Sequence, residues 1–163
     1  MEFITGSGRE RIVFHPDVLN HFMNYRQLTA TAREAGGQLF AVIANGRIEV
    51  VAATGPYPVD KRGRFSFSPS RFKERLDIFC MYRRGLHYVG DWHTHPEPKP
   101  TPSSIDVANI REIFAKSRHH YSGILLVIVG QLPIPDGIYA AIANEDSVVQ
   151  VHPTATPAKL EVP

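Results

Sequence analysis

The sequence predicts a single α/β domain in which a mixed, mostly antiparallel sheet is flanked by helices, and three observations carry that prediction. A chain of 163 residues that is 43% hydrophobic and 21% charged holds enough apolar material for one core and too little for two. Asn45-Gly46 separates two apolar, β-branched runs, which is the strongest short-range signal for a hairpin. Amphipathic stretches opened by proline alternate with short apolar runs, so helices and strands are interleaved along the chain.

The elements follow in order. Residues 1–10 and 153–163 are dominated by Pro, Thr and Gly and are expected to be loosely held ends around a folded core at 11–152. Pro16 suits a first helical turn, and Val18, Leu19, Phe22, Met23 and Tyr25 recur at helical spacing, predicting a helix over 16–33. Residues 38–44 and 47–53 read as antiparallel strands joined at Asn45-Gly46. The stretch 56–67 mixes prolines, glycine and basic residues without helical period and reads as an extended insertion. Ser68-Pro69 offers an N-cap and a first-turn proline for a helix through Phe72, Leu76, Phe79 and Cys80, with the Cys80 thiol packed on its apolar face. A strand at 86–93, a proline-laden loop at 96–102 and a helix at 104–117 come next. Strands near 123–130, 137–143 and 147–152 close the chain, the last two joined by a turn at 144–146.

Composition excludes several functions. Eighteen basic against sixteen acidic residues give a formal charge of +2, with no basic block, so nucleic acid is not an expected partner. The single cysteine rules out an intramolecular disulfide and any zinc site built on two thiolates, which points to a reducing, cytoplasmic compartment. No signal peptide is legible, and the longest apolar run, 123–130, falls far short of the roughly 18 residues that span a bilayer, so no membrane association is expected.

The informative segment is GDWHTHPEPKPTPSSID, residues 90–106. Side chains alternate across a strand, so His93 and His95 share a face with their Cα atoms about 6 to 7 Å apart, a spacing that lets two imidazoles meet one zinc ion. Asp106 falls in the first turn of the following helix, where the helix dipole favours a carboxylate. Two imidazoles and a carboxylate leave the fourth position of a tetrahedral ion to water, the catalytic arrangement. Ser103 and Asp106 also fit S-x-x-D, which taken alone is a helix capping box. The His119-His120 pair reads as solvent-exposed.

The full string H-x-H-x(7)-S-x(2)-D resembles, without a gap or substitution, the signature of the JAMM (MPN-plus, or JAB) zinc metallopeptidases. That family also carries an upstream glutamate at a strand start followed by small residues. Glu34 in REAGGQLFAVI fits that context better than Glu10, Glu49 or Glu74. The resemblance implies a fold similar to that of cytidine deaminases and one zinc ion per chain held by His93, His95 and Asp106. It also implies Glu34 as general acid/base and Ser103 as hydrogen-bond donor to the developing oxyanion. Thr94 stands where the family more often has serine, and its side chain points away from the ligands. Asp91 lies in register with His93, either as its partner or as a solvated acid.

What the resemblance implies about function is a peptidase or isopeptidase acting on the C-terminal tail of a ubiquitin-like or otherwise conjugated protein. Small size and a lone motif look like the stand-alone bacterial members, especially the deconjugating protein of anti-phage CBASS operons, where a nucleotidyltransferase C-terminus is the conjugated tail. The alternatives are processing of a small sulfur-carrier protein and a non-enzymatic MPN scaffold. A scaffold would carry a broken motif, and this one is intact. The RadC-like DNA-repair relatives have a Ser-Gly pair where Glu97-Pro98 stands here. The insertion at 56–67 carries Arg64, Phe65 and Phe67, which either grip an extended substrate tail by strand addition or cap the core.

Overall fold

The computed structural model describes residues 1–5, 11–44, 46–117 and 121–154. Strand β1 (Glu2–Thr5) and β2 (Arg11–Phe14) precede helix α1 (Pro16–Asn24), and the hairpin β3 (Gly36–Ala44) and β4 (Arg47–Ala53) follows. A short ribbon, β5 (Lys61–Arg62) with β6 (Phe67–Ser68), leads into α2 (Arg71–Tyr82) and the strand β7 (His87–Thr94). Helix α3 (Ser104–Lys116) and the strands β8 (Ile124–Val129), β9 (Ile138–Ala143) and β10 (Val148–Pro153) complete the chain. Eight strands close into a barrel in the order β1-β10-β9-β8-β7-β3-β4-β2. Its pairings are antiparallel except for β2 with β4 and β7 with β8.

The hydrophobic patterning explains the layers. Every residue of β8 is buried, because both of its faces are covered. Leu125, Val127 and Val129 join Phe3, Phe14, Phe22 and Trp92 in one core, to which α1 contributes Val18 and Phe22. Ile124, Leu126 and Ile128 join Ile110 of α3 in a second core on the other face. Helix α3 lies against β8 and β9, while α2 lies against β7 and β3. Among the described residues, no helix is long and apolar enough to cross a membrane.

Several expectations need correction. Glu2–Thr5 is not loose: it closes the barrel between β10 and β2, and Phe3 is fully buried. Residues 6–10 and 155–163, also expected to be loose, lie outside the described residues, as do Asn45 of the hairpin turn and the His119-His120 pair. Helix α1 ends at Asn24 rather than 33, because Gln27 turns inward to bond the carbonyls of Ala32 and Arg64 and so fixes a loop. The second helix is capped at Ser70 rather than Ser68, since Asp60 Oδ1 accepts from the Ser70 amide and Ser68 is held in β6. Cys80 is exposed rather than packed, because α2 turns its outer face, with Phe72 and Phe79, to solvent and buries no residue.

Candidate functional site

Strand β7 supplies the centre of the site. Its register against β3 pairs Gly36 with His93 and Gln38 with Asp91, then slips so that Leu39 faces Gly90 and Phe40 faces Tyr88. Val89 is left over as a β-bulge. Gly90 permits this with a φ of 149°, where any Cβ would stand 2.0 Å from the Leu125 carbonyl oxygen. On the other strand, Gly37 carries no side chain because a Cβ there would fall 1.9 Å from the Thr54 oxygen. The two strands and the loop after β4 are therefore pressed tightly behind the site.

His93 Nε2 and His95 Nε2 approach to 3.1 Å. Asp106, in the first turn of α3, places Oδ1 3.2 Å from His93 Nε2 and Oδ2 3.5 Å from His95 Nε2. Glu34 offers a carboxylate oxygen, and its ligand atom and those of His93 and His95 all lie within 4.8 Å of one another. A tetrahedral ion bound at about 2.0 to 2.2 Å would hold its ligand atoms roughly 3.3 to 3.6 Å apart, so the observed edges fit a divalent metal. Ser103 is the N-cap of α3 in a complete capping box. Its hydroxyl donates to Asp106 Oδ2 at 2.7 Å and accepts from the Asp106 amide at 3.2 Å, while the Ser103 amide donates to Asp106 Oδ2 at 2.7 Å.

Glu34 precedes β3 and is held through its backbone. Its amide donates to the Gly63 carbonyl at 2.7 Å, and its own carbonyl accepts from Arg62 Nε at 2.7 Å. Thr94, fully buried, points away from the ligands: its hydroxyl accepts from the Ala35 amide at 3.0 Å and donates to Gln27 Oε1 at 3.0 Å. Gln27 and Thr94 thus tie the loop that carries Glu34 to the strand that carries the histidines. No motif signalled Gln27, and only its isolation as a polar residue beside an apolar helix could have.

The electrostatics follow from proximity. Burial raises the Glu34 carboxyl, opposed by the neighbouring His93 and His95. Burial also disfavours the charge on Asp106, but hydrogen bonds from His93, His95 and Ser103 outweigh it and hold that carboxyl far below the usual range. For His95, burial works against protonation, and the carboxylates of Asp106 and Glu34 reverse the balance, so it is raised. Asp91 does not bond His93. It accepts from the Tyr88 hydroxyl at 3.0 Å, and burial together with the Glu74 carboxylate pushes it up to about 7.

From this cluster a groove of about 1330 Å³ runs between α2 and α3 over β3 and β7. Phe67 lines it beside Glu34 and Gly37. Arg64 does not: its guanidinium turns to the Thr29 and Ala30 carbonyls. Phe65 stands outside the groove, exposed, with the Arg64 guanidinium over its ring at 5.2 Å. The three residues of the insertion are thus divided between the groove, a loop anchor and solvent.

A closed mixed barrel with a strand-borne histidine pair, a helix-borne aspartate and an upstream glutamate defines a candidate metal centre at the head of a groove. The chain belongs to the family described as prokaryotic homologs of the JAB domain, which matches residues 16–145. It is 30% identical over 138 residues to a CD-NTase/cGAS isopeptidase of Pseudomonas aeruginosa, covering 80% of this chain and 87% of that one. It is 29% identical over 99 residues to a protein of the same name from Escherichia coli, covering 59% of this chain and 64% of the other. The solution structure of protein DSY2949 from Desulfitobacterium hafniense shares the fold, with a TM-score of 0.56 at 18% identity over 85% of this chain and 88% of that one.

Proposed function

We propose that this protein is a zinc-dependent isopeptidase of JAMM type that releases the C-terminal tail of a conjugated CD-NTase from its target, in the setting of anti-phage CBASS defence. The observation that carries the reading is the meeting of His93, His95 and Asp106 at edges of 3.1 to 3.5 Å with Glu34 beside them. The names of the relatives support the substrate class. The cytidine-deaminase-like likeness of the fold belongs to the same reading.

His93, His95 and Asp106 would hold the ion, with the Glu34 carboxylate beside the two histidines. A bound zinc ion lowers the pKa of water from about 15.7 toward 7 and polarises a carbonyl. Glu34 takes the proton of the attacking water on a carboxylate oxygen and returns it to the leaving amine; its raised affinity for a proton, caused by burial, suits both steps. The Ser103 hydroxyl, now bonded to Asp106, turns to donate to the oxygen of the reacting carbonyl. Phe67 lines the path by which the tail reaches that carbonyl.

The test uses a CD-NTase joined through its C-terminus to a lysine of a second protein. Chelation should abolish cleavage and zinc restore it. Glu34→Gln should retain zinc, measured by mass spectrometry of the metal, and lower turnover by about 10² to 10⁴. Full activity of the metal-free protein, or of Glu34→Gln, overturns the reading.

A further inference from the structure

We propose that the groove wall formed by Asp91, Glu74 and Gln38 is a pocket for a basic side chain of the substrate tail, arginine above lysine, seated about two residues from the reacting carbonyl. The proposal rests on the peptidase reading above and names the feature of the tail that the groove selects. A regular strand would turn Tyr88 and Asp91, three residues apart, to opposite faces. The bulge at Val89 and the backbone of Gly90 bring both to the groove instead, where the Tyr88 hydroxyl bonds Asp91 at 3.0 Å. The bulge thus turns the Tyr88 hydroxyl to the face that Asp91 already shares with His93, along the wall next to the histidines.

Gln38, paired with Asp91 across the strands and only 5% exposed, lines the same groove, and its Oε1 has no hydrogen-bond partner among the described residues. A buried acceptor left without a donor costs about 1 to 3 kcal/mol, so the groove floor holds an unmet demand for an N–H group. Glu74 reaches the wall from α2, and its bonded cation, Arg71 at 3.1 Å, has a side chain 77% exposed. The other cations of the groove are Arg75 and Lys116, and Lys116 is taken up by Glu112. Arg71 is bonded to Glu74, and among the described residues no cation is bonded to Asp91 or to Gln38 Oε1, so the acceptors of this wall suit a donor-rich cation. Asp91 lies two residues before His93 on β7, about 6 to 7 Å along the strand, which is the advance of two residues of an extended peptide. An arginine at that place would offer a planar fork to carboxylate and amide oxygens together.

The experiment measures binding, independent of hydrolysis, by fluorescence anisotropy on the zinc-loaded full chain. The probes are fluorescein-labelled alanine hexapeptide amides carrying one arginine, lysine, citrulline or glutamate at each of the last four positions. Arginine should bind at least tenfold tighter than its neutral isostere citrulline at one position near the second from the end, with lysine between them. That preference should fall below twofold in Glu74→Gln and in Asp91→Asn; Glu74 lies on α2, which buries nothing, so the first variant keeps the fold. Equal binding of arginine and citrulline at every position, a preference that survives in both variants, or no binding up to millimolar protein overturns the pocket. Conjugate cleavage without arginine preference defeats the pocket alone. Arginine preference without cleavage of any conjugate defeats the peptidase reading alone.

Discussion

Helices α2 and α3 flank one groove, yet they are built in opposite ways. Helix α3 begins with a full capping box and drives Ile110 into the core formed with Ile124, Leu126 and Ile128. Its first turn is therefore rigid, and Asp106 is delivered to the histidines at a fixed position. Helix α2 has no side-chain cap, buries no residue, and leaves Phe72 at 74% and Phe79 at 59% exposure. The difference teaches that the helix carrying the carboxylate of the candidate site is anchored at its N-terminus and along its length, whereas the one that only walls the groove is not.

Substitutions at four positions test that contrast, in falling order of effect. Asp106→Ala removes a ligand-type carboxylate and half of the capping box together, so bound zinc and conjugate cleavage should both be lost, as metal analysis and a cleavage assay will show. Ser103→Ala should lower the rate by about 10² to 10³ through the lost donor. The same change should cost about 0.5 to 2 kcal/mol in denaturant unfolding through the lost cap, and Ser103→Gly should recover most of the stability without the rate. Ile110→Ala should cost about 2 to 5 kcal/mol of stability, the range for an emptied core site, and loosen zinc as the first turn of α3 loses its anchor. Phe79→Ser on α2 should shift unfolding by no more than about 0.5 kcal/mol and leave zinc content unchanged. If Phe79→Ser destabilises as much as Ile110→Ala, the contrast between the helices is wrong.

What the sequence made legible was local. The His93 and His95 spacing on a strand, the N-terminal position of Asp106, the antiparallel pairing of β3 with β4 and the apolar run of β8 each depend on a few neighbouring residues, and the structure brings those elements together as expected. Closure of the barrel was not legible, because Phe3 pairs with Pro153 across nearly the whole chain and nothing near either residue announces the other. The early end of α1 follows from Gln27 bonding backbone that lies far along the chain, at Arg64. The bulge that brings Tyr88 to the face of Asp91 depends on the φ of Gly90, which a strand-like sequence does not reveal. Exposure of Cys80 was missed for a different reason: an apolar stripe on a helix predicts a buried face only when something covers it.

The backbone of Glu34 is clasped from both sides by the ribbon of β5 and β6, with the Gly63 carbonyl on its amide and the Arg62 guanidinium on its carbonyl. Gly63 is in turn fastened across that ribbon, its amide donating to the Ser66 carbonyl at 2.8 Å. The insertion and the glutamate proposed to handle the proton are therefore joined backbone to backbone and guanidinium to carbonyl, through two hydrogen bonds of 2.7 Å. On the proposed function, contact of Phe67 with the tail and readiness of Glu34 as base would then be coupled, and substitutions in the insertion should register as a change in turnover as readily as in affinity.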